Sequence, residues 1–176
     1  WFMAARDPRE RLWRPQDGGG ALLDLAVYPL SWVLATLGPV SGAVASARLN
    51  EEGVDELSSL ALRHAGGGFS QVTVSFVSQS VNRAAIVGTE GVIVTDAPVS
   101  RPQGFTVTAK GASTHEAVAH SDDPYTYQLR EVTRCIQQGL FESPTMPLAD
   151  TIATMELFDE VRRQTGVTYP NDYEEE

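Results

Sequence analysis

Cysteine and lysine are nearly missing from this sequence of 176 residues, which contains one of each, Cys135 and Lys110. A single cysteine cannot form an internal disulfide, and with no second cysteine near it a thiolate metal site is excluded. We therefore predict that Cys135 is a buried thiol. Acidic side chains outnumber basic ones by 23 to 13, the formal net charge is -10, and the basic residues are scattered. This distribution excludes nucleic acid as the partner.

The sequence also lacks a long uninterrupted run of apolar residues. Its longest candidate, residues 21–37, is interrupted by Asp24, Pro29 and Ser31 and lacks positively charged flanks. This pattern predicts neither a membrane span nor an export signal, and we expect a soluble, cytoplasmic protein. The first residue is Trp1 rather than methionine, so we expect that the chain was processed or is a piece of a longer protein.

Motifs that build metal and nucleotide sites are missing too. His115 and His120 are five positions apart, whereas a zinc-protease helix needs histidines four apart, and no metal site is predicted. No serine stands in a nucleophile-elbow glycine pattern, so no catalytic serine is predicted. No strand followed by GxGxxG occurs, which means that the sequence contains no dinucleotide-binding turn.

The sequence does contain enough apolar material for one folded domain. Hydrophobic residues make up 42% of the chain, which suffices for one core but not for a second full-sized domain. We predict a single domain over residues 1–170, followed by a solvated acidic tail at residues 171–176.

Alternating residues predict β-strands through the middle of the chain. Apolar and polar side chains take turns there, which is the period of half-buried strands, and short turns rich in glycine separate the segments. Short connections favour antiparallel neighbours, so we predict the α+β class with an open, predominantly antiparallel sheet of five or six strands and helices packed on one face. The expected strands lie within residues 41–50, 56–64, 70–76, 84–87, 92–95 and 105–110.

Two helices are predicted to close the chain. Asp123 is the expected N-cap of the first, Pro124 its first residue and Gly139 its stop. The second, within residues 147–166, carries an acidic residue in its first turns and two arginines in its last, as the helix dipole favours. The first helix has an apolar stripe made of Tyr125, Leu129, Val132 and Ile136.

The stretch GGGALLDLAVYPLSW, residues 18–32, runs three glycines straight into an apolar helix. We predict that this helix begins near Gly20 and ends at Gly38, where glycine and then proline stop it. It should kink or restart at Pro29, because proline removes an amide donor and displaces the carbonyl group one turn earlier.

Asp24 and Tyr28 stand at positions i and i+4 of this helix. Such side chains lie on one face, about 5 to 6 Å apart at their Cβ atoms, so a bound hydroxyl or carbonyl group could touch both. The alternative is a structural role, with Asp24 as a hydrogen-bond partner at the helix end and Tyr28 as a core aromatic residue. Arg11 and Arg14, just before the glycines, could face a polyol or anionic substrate, or form ion pairs on the surface.

The segment GGGALLDLAVYPLSWVLATLGPV resembles the start of the C-terminal domain of the Gfo/Idh/MocA oxidoreductases, where a GGG-x-L-x-D-x-x-x-[HY] helix follows the first strand. Three further segments are similar to that domain: GTEGVIVTD to its strand-turn-strand segment, and YQLREVTRCIQQG and ESPTMPLADTIATMELFDEVRRQTGV to its closing helices. The resemblance runs from about Asp7 to Pro170. It implies a two-domain enzyme whose N-terminal Rossmann domain binds NAD(P) and whose C-terminal open sheet shapes a sugar or polyol pocket and the oligomer.

The resemblance also implies roles for individual residues. Tyr28 takes the family's His-or-Tyr position, as proton donor or acceptor at the reacting carbinol, and Asp24 that of a ligand for a substrate hydroxyl group. Gly19, Gly20 and Arg14 are expected to contact the substrate, because glycines at a helix start let a bound molecule approach the backbone.

One feature of the family is missing from this chain, the lysine of a Glu-Lys-Pro segment in the nucleotide domain. A phenol of pKa near 10 is a poor base at neutral pH without a nearby cation, and Lys110 stands in no such context. The resemblance implies NAD or NADP for the full-length protein, with the cofactor-binding residues mainly in the absent domain. We expect this fragment to bind no cofactor and not to turn over substrate alone.

Two functions remain open. In the first, the chain is the substrate-binding and oligomerisation domain of an NAD(P)-dependent oxidoreductase acting on a sugar, polyol or cyclic alcohol. It would form a homodimer or homotetramer through the second face of the sheet, where Ala61 and Val77 stand among small polar residues. The alternative is a stand-alone, non-catalytic module that dimerises or binds a small molecule. A Rossmann segment encoded upstream of Trp1 would establish the first, and a start codon just before Trp1 would exclude it.

Overall fold

The computed structural model describes residues 7, 10–120, 123 and 125–173. The chain divides into two compact units, one formed by Trp1–Ser80 with Thr154–Glu176 and the other by Val81–Ala153. The single domain expected over residues 1–170 stays a prediction.

The first unit contains a three-stranded antiparallel sheet and the helices that precede it in the chain. Two short 3-10 turns, Arg11–Trp13 and Pro15–Asp17, lead into the glycine segment, and a third, Pro170–Tyr173, follows the last helix. The main elements are α1 Ala21–Leu25, α2 Val27–Leu37, β1 Val40–Leu49, β2 Asp55–His64 and β3 Phe69–Ser75. The strand order is β1-β2-β3, with β2 in the centre.

One face of this sheet is apolar, as the alternation predicts. In the register of the strands, Leu60 stands opposite Ala45 on β1 and Val72 on β3, so that these side chains share a face. The rings of Trp13 and Phe76 lie beside this core with their centroids 5.4 Å apart. The buried cluster on this face includes Trp13, Leu22, Ala26, Leu30, Leu60, Leu62, Val72, Phe76 and Phe158.

The other face of the sheet is open in the first unit. Val44, Ala61 and Gln71 stand opposite one another there, one from each strand. Val44 is 71% exposed and Phe69, at the start of β3, is 75% exposed. This surface combines small polar side chains with two large apolar ones.

The outer edge of β1 is met by the helix α4, Leu148–Thr165. The side-chain amide of Gln164 accepts a hydrogen bond from the Ala45 N–H group at 2.8 Å and donates one to the Ala43 carbonyl group at 3.0 Å. These are two of the backbone groups that an edge strand leaves without a strand partner.

The helix that follows the glycines has the predicted bounds. Gly20 is its N-cap residue, and it ends before Gly38, whose φ is 76°. A single residue, Ala26, separates α1 from α2, and the segments Pro15–Leu25 and Val27–Leu37 are bent by 43°. The predicted break is present, but it lies at Ala26, three residues before Pro29. Proline has no N–H group to donate to the Leu25 carbonyl group, so the helix breaks one turn ahead of it.

Within the described residues, no single helix is long and apolar enough to cross a membrane. The two bent segments above reach the required length and composition only together.

The second unit contains a four-stranded antiparallel sheet in the order β4-β5-β6-β7. The α+β class and the antiparallel pairing are confirmed, although the described residues form seven strands in two sheets rather than one sheet of five or six. The strand bounds are β4 Ala85–Val87, β5 Gly91–Thr95, β6 Gly104–Ala109 and β7 Ala112–Ala117.

Strand β7 corrects two expectations. Lys110, predicted on a strand, lies in the β6–β7 turn with φ 52°, beside Gly111 with φ 79°. His115, which lies outside every predicted strand, is on β7, and its Nε2 atom forms a hydrogen bond with Asp96 at 3.0 Å. Every residue of β7 is exposed, so the strand carries no apolar alternation that would reveal it.

The helix α3, Thr126–Gln137, begins close to the predicted start. The Asp123 carboxylate accepts a hydrogen bond from the Tyr125 N–H group at 2.8 Å, while Pro124 lies outside the described residues. Gly139 follows the helix with φ 66°, as predicted for its stop. The residues of the apolar stripe, however, are all exposed: Tyr125, Leu129, Val132 and Ile136.

Cys135 is 6% exposed, which confirms the buried thiol. Its neighbour Glu131 accepts hydrogen bonds from Arg134 at 2.8 Å and from Ser143 at 2.5 Å. These donors, Arg134 first, lower the pKa of Glu131 to about 2. Burial raises the pKa of the Cys135 thiol, so the group stays protonated.

The helix α4 carries the predicted end signals. Asp150 is in its first turn, Arg162 and Arg163 are in its last, and Gly166 follows it with φ 79°. Of the predicted acidic tail, residues 174–176 lie outside the described residues.

Candidate functional site

Gly19 and Gly20 are buried in the first unit, where their backbone is hydrogen-bonded to other parts of the chain. The Gly19 N–H group donates to the Arg14 carbonyl group and the Gly20 N–H group to the Leu12 carbonyl group, both at 2.9 Å. The Gly19 carbonyl group accepts a hydrogen bond from the Tyr169 hydroxyl group at 2.6 Å. The backbone of this segment is thus tied to the chain on both sides of it.

The absence of side chains at the glycines is required by close contacts within the chain. A Cβ atom at Gly19 would lie 2.6 Å from the carbonyl oxygens of Arg11 and Leu12. A Cβ atom at Gly20, where φ is 119°, would lie 2.3 Å from Asp55 Oδ1 and 3.2 Å from the Tyr169 hydroxyl oxygen. The space at both glycines is filled by this chain's own atoms, and their contact with a substrate stays a prediction.

Asp24 lies in α1 and forms an ion pair with Arg11. The Arg11 Nη2 atom donates to Asp24 Oδ1 at 2.7 Å, and the Asp24 side chain is 24% exposed. Arg11 belongs to the first 3-10 turn, so the ion pair joins the two sides of the glycine segment. A carboxylate held in this way can accept a hydrogen bond from a hydroxyl group at its other oxygen.

Tyr28 lies in the first turn of α2 and is 50% exposed. The alternative interpretation of Tyr28 as a core aromatic residue is therefore wrong. Arg14, the remaining predicted contact, pairs with Asp17 at 3.2 Å in the second 3-10 turn. The structure thus brings Arg11 rather than Arg14 to Asp24.

Sequence reasoning missed Asp55, the first residue of β2. It is fully buried, and its Oδ2 atom accepts hydrogen bonds from the Leu22 N–H group at 2.8 Å and the Ser58 hydroxyl group at 2.7 Å. Its Oδ1 atom is buried without a hydrogen-bond partner. Burial raises the pKa of Asp55 from 3.8 to about 6, and the two hydrogen bonds lower it only in part.

Tyr169, after α4, is the second residue that the sequence did not reveal. The Arg162 guanidinium carbon lies 4.6 Å from the centre of its ring, and the Tyr169 N–H group donates to Asp172 at 2.7 Å. Burial, followed by the negative charge of Asp55, raises the pKa of the phenol to about 12. No local pattern indicates either residue, because Asp55 is 33 residues from Leu22 and Tyr169 is 150 residues from Gly19.

The arrangement offers hydrogen-bonding groups and a phenol rather than a metal centre. Within the described residues, no group of three or more His, Cys, Asp or Glu side chains lies together that could hold a metal ion.

Residues 1–94, just over half of the chain, match the GFO/IDH/MocA C-terminal domain. The chain belongs to this family. Its similarity to the trans-1,2-dihydrobenzene-1,2-diol dehydrogenase of Xenopus tropicalis is 32% identity over 163 residues, or 87% of this chain and 49% of that protein. The GFO/IDH/MocA chain therefore spans about half the length of the curated relatives that it matches.

Solved structures agree with the family at the level of the fold. The aldose-aldose oxidoreductase of Caulobacter crescentus, solved with glycerol, matches with a TM-score of 0.79 and 20% identity, over 94% of this chain and 51% of that one. A 3-ketoreductase from Actinomadura kijaniata, solved with NADP and TDP-benzene, matches with a TM-score of 0.79 and 21% identity, over 93% and 52%. Both neighbours share the α+β architecture of this GFO/IDH/MocA domain.

Proposed function

We propose that this chain is the substrate-binding and oligomerisation domain of an NAD(P)-dependent oxidoreductase that acts on a sugar, polyol or cyclic alcohol. The observation that carries the proposal is the ion pair between Asp24 and Arg11, together with the half-exposed Tyr28, which follows Asp24 by four residues across the break at Ala26. The names of the relatives, which include a diol dehydrogenase and an aldose oxidoreductase, support the alcohol class.

In this proposal Asp24 and Tyr28 act on the substrate from the same segment. The Asp24 carboxylate accepts a hydrogen bond from one substrate hydroxyl group and orients the molecule. Tyr28 exchanges a proton with the oxygen of the reacting carbinol. Arg11 holds the Asp24 carboxylate in place through their ion pair at 2.7 Å.

The described residues do not fit a dinucleotide. The room that a phosphate would need at Gly19 and Gly20 is filled by Asp55, Tyr169 and the carbonyl groups of Arg11 and Leu12. We place the NAD or NADP site of the full-length protein outside this chain, and the 3-ketoreductase neighbour solved with NADP supports this type of cofactor. This chain alone should then show no turnover.

Tyr28→Phe tests the proton role of the phenol. In the full-length enzyme, we expect kcat to fall roughly 10²-fold, the effect of removing a general acid or base. The matched variant Asp24→Asn should act mainly on KM, because it changes the orientation of the substrate rather than the proton transfer. Steady-state kinetics on both variants check this, and unchanged turnover of Tyr28→Phe would refute the assignment.

We also propose that the open face of β1, β2 and β3 joins two copies of the chain. Val44, Ala61 and Gln71 form its central row, and Val44 and Phe69 are its exposed large apolar side chains. Apolar side chains exposed together on one surface are typical of protein–protein contacts. Val77, named with Ala61 from the sequence, lies beyond the end of β3 and is 36% exposed. An isologous contact would cover the apolar side chains of both copies.

Phe69→Arg tests this contact. We expect light scattering to find a homodimer or homotetramer of the unmodified chain and smaller species for Phe69→Arg, because the new charge would be buried against its symmetry mate. Phe141→Arg is the control, since Phe141 is fully exposed and belongs to the second unit rather than to this sheet. A monomer at high micromolar concentration for the unmodified chain would contradict the proposal.

A further inference from the structure

Asp55 is a buried carboxyl group to which the proposed reaction assigns no part. It lies at the start of β2, and one of its oxygen atoms accepts a hydrogen bond from the backbone N–H group of Leu22. Leu22 precedes Asp24 by two residues in α1. Gly20, at the N-cap of α1, has no side chain that could do this. Asp55 therefore supplies from another element the hydrogen bond that an N-cap residue ordinarily makes.

We propose that Asp55 is a positioning residue: its carboxyl group fixes the start of α1 against β2 and thereby sets the place of Asp24. The inference rests on the proposed function in one respect: there, the position of Asp24 matters because Asp24 binds a substrate hydroxyl group. It does not make Asp55 a catalytic residue, because its carboxyl group is buried beneath the glycine segment.

The shortness of α1 makes such an anchor necessary. A helix of five residues does not hold its own first turn, since a nucleus of this size is unstable in isolation. Asp24 follows directly from that turn, because its N–H group donates to the Gly20 carbonyl group at 3.3 Å. A shift of the Leu22 backbone would therefore move the Asp24 carboxylate.

Arg11, the ion-pair partner of Asp24, is held in place by the same segment. Arg11 belongs to the turn whose backbone wraps the glycines, and the Gly20 N–H group donates to the Leu12 carbonyl group at 2.9 Å. Tyr169 holds the Gly19 carbonyl group at 2.6 Å from the other side. Asp55 and Tyr169 are thus two clamps on one segment, and the Arg11–Asp24 ion pair forms across it.

Charged side chains are in contact with one of the two clamps, Tyr169. Arg162 lies over the Tyr169 ring, and Asp172 accepts from both the Arg162 side chain and the Tyr169 backbone. Ser58, the second donor to Asp55, is neutral and lies on the same strand. Of these two hydrogen bonds of Asp55, only the one from the Leu22 N–H group joins it to α1, so this bond is the one that can fix the position of the helix.

Nuclear magnetic resonance of the 176-residue chain tests the inference at the residues concerned. The variants are Asp55→Asn, which keeps an acceptor oxygen, and Asp55→Ala, which removes it. The readouts are amide hydrogen exchange at Leu22 and the carboxyl carbon shift of Asp24. In Asp55→Ala we expect at least tenfold faster exchange at Leu22 and a displaced Asp24 signal. In Asp55→Asn both should stay near those of the unmodified chain.

The outcomes separate a positioning role from a merely structural one. A structural role would accelerate exchange equally at Leu22 and at core strand residues such as Leu60 and Val72, and that result would overturn the inference. An unchanged Asp24 signal in Asp55→Ala, or equal displacement in both variants, would overturn it too.

Tyr169→Phe keeps the test decisive if Asp55→Ala does not fold. This variant retains the ring and removes only the hydroxyl group that donates to Gly19, so we expect a displaced Asp24 signal with slow exchange retained at Leu60 and Val72. An Asp24 signal at its original place would contradict the clamp. None of these readouts depends on turnover, so failure of the inference and failure of the proposed function are distinguishable.

Discussion

Gly20→Ala is expected to destabilise the chain by roughly 2 to 6 kcal/mol. A φ of 119° is rarely adopted by residues with a side chain, which costs about 1 to 3 kcal/mol. The new methyl group would also lie 2.3 Å from Asp55 Oδ1, and overpacking a buried site costs a further 1 to 3 kcal/mol or so. The Asp55 side chain cannot move away from the new methyl group without breaking its hydrogen bonds with Leu22 and Ser58.

Urea unfolding of the variant, read against Gly18→Ala, measures this loss. Gly18 has φ 66° and open space where a Cβ atom would stand, so its substitution carries only a conformational cost of about 1 to 2 kcal/mol. Equal losses in the two variants would show that the contact with Asp55 is not tight.

Asp55→Asn is expected to change how stability depends on pH. Because burial raises the pKa of Asp55 to about 6, its folded form holds the proton more tightly than the unfolded chain, where the pKa is 3.8. The contribution of this group to stability is therefore fully present below pH 3.8 and is lost as the pH rises through about 6. At 1.36 kcal/mol per pH unit, the loss amounts to roughly 3 kcal/mol.

Asparagine has no charge to bury, so the variant should escape this loss. We expect the free energy of unfolding of Asp55→Asn, relative to the unmodified chain, to improve by roughly 2 kcal/mol between pH 4 and pH 7. Denaturant unfolding of both chains across this range checks the result. A difference that stays constant with pH would mean that Asp55 is not held as an acid.

Glu131→Gln is the control of opposite sign. Arg134 and Ser143 lower the pKa of Glu131 to about 2, so its contribution is present above the unfolded pKa of 4.5 and is lost as the pH falls toward 2. Relative to the unmodified chain, this variant should be least stable at neutral pH and recover as the medium is acidified.

Sequence reasoning located the helix of the candidate site because its signals are local. Gly20 and Gly38 mark the ends of the helical segment, and Pro29 produces the break before Tyr28 through the backbone alone. The i, i+4 spacing of Asp24 and Tyr28 is also a local signal, but the break at Ala26 puts the two residues on separate helices rather than on one helical face.

The supporting residues could not be predicted because their contacts are remote in sequence. Asp55 reaches α1 over 33 residues and Tyr169 reaches the glycines over 150, and neither distance leaves a periodic trace. The strand β7 was not predicted for another reason: an edge strand that is exposed on both faces needs no apolar residues, so its sequence shows no alternation. The apolar stripe of α3 predicted a buried face that the structure leaves exposed.

The amide of Gln164 gives the β1 edge a property that the face of the sheet does not share. By occupying the Ala43 carbonyl group and the Ala45 N–H group, it imitates a short piece of neighbouring strand. An incoming strand would have to displace it, so the sheet is closed to growth along this side and guarded against edge-to-edge aggregation. In the proposed association of two copies, pairing of strands along this edge of β1 is therefore not expected.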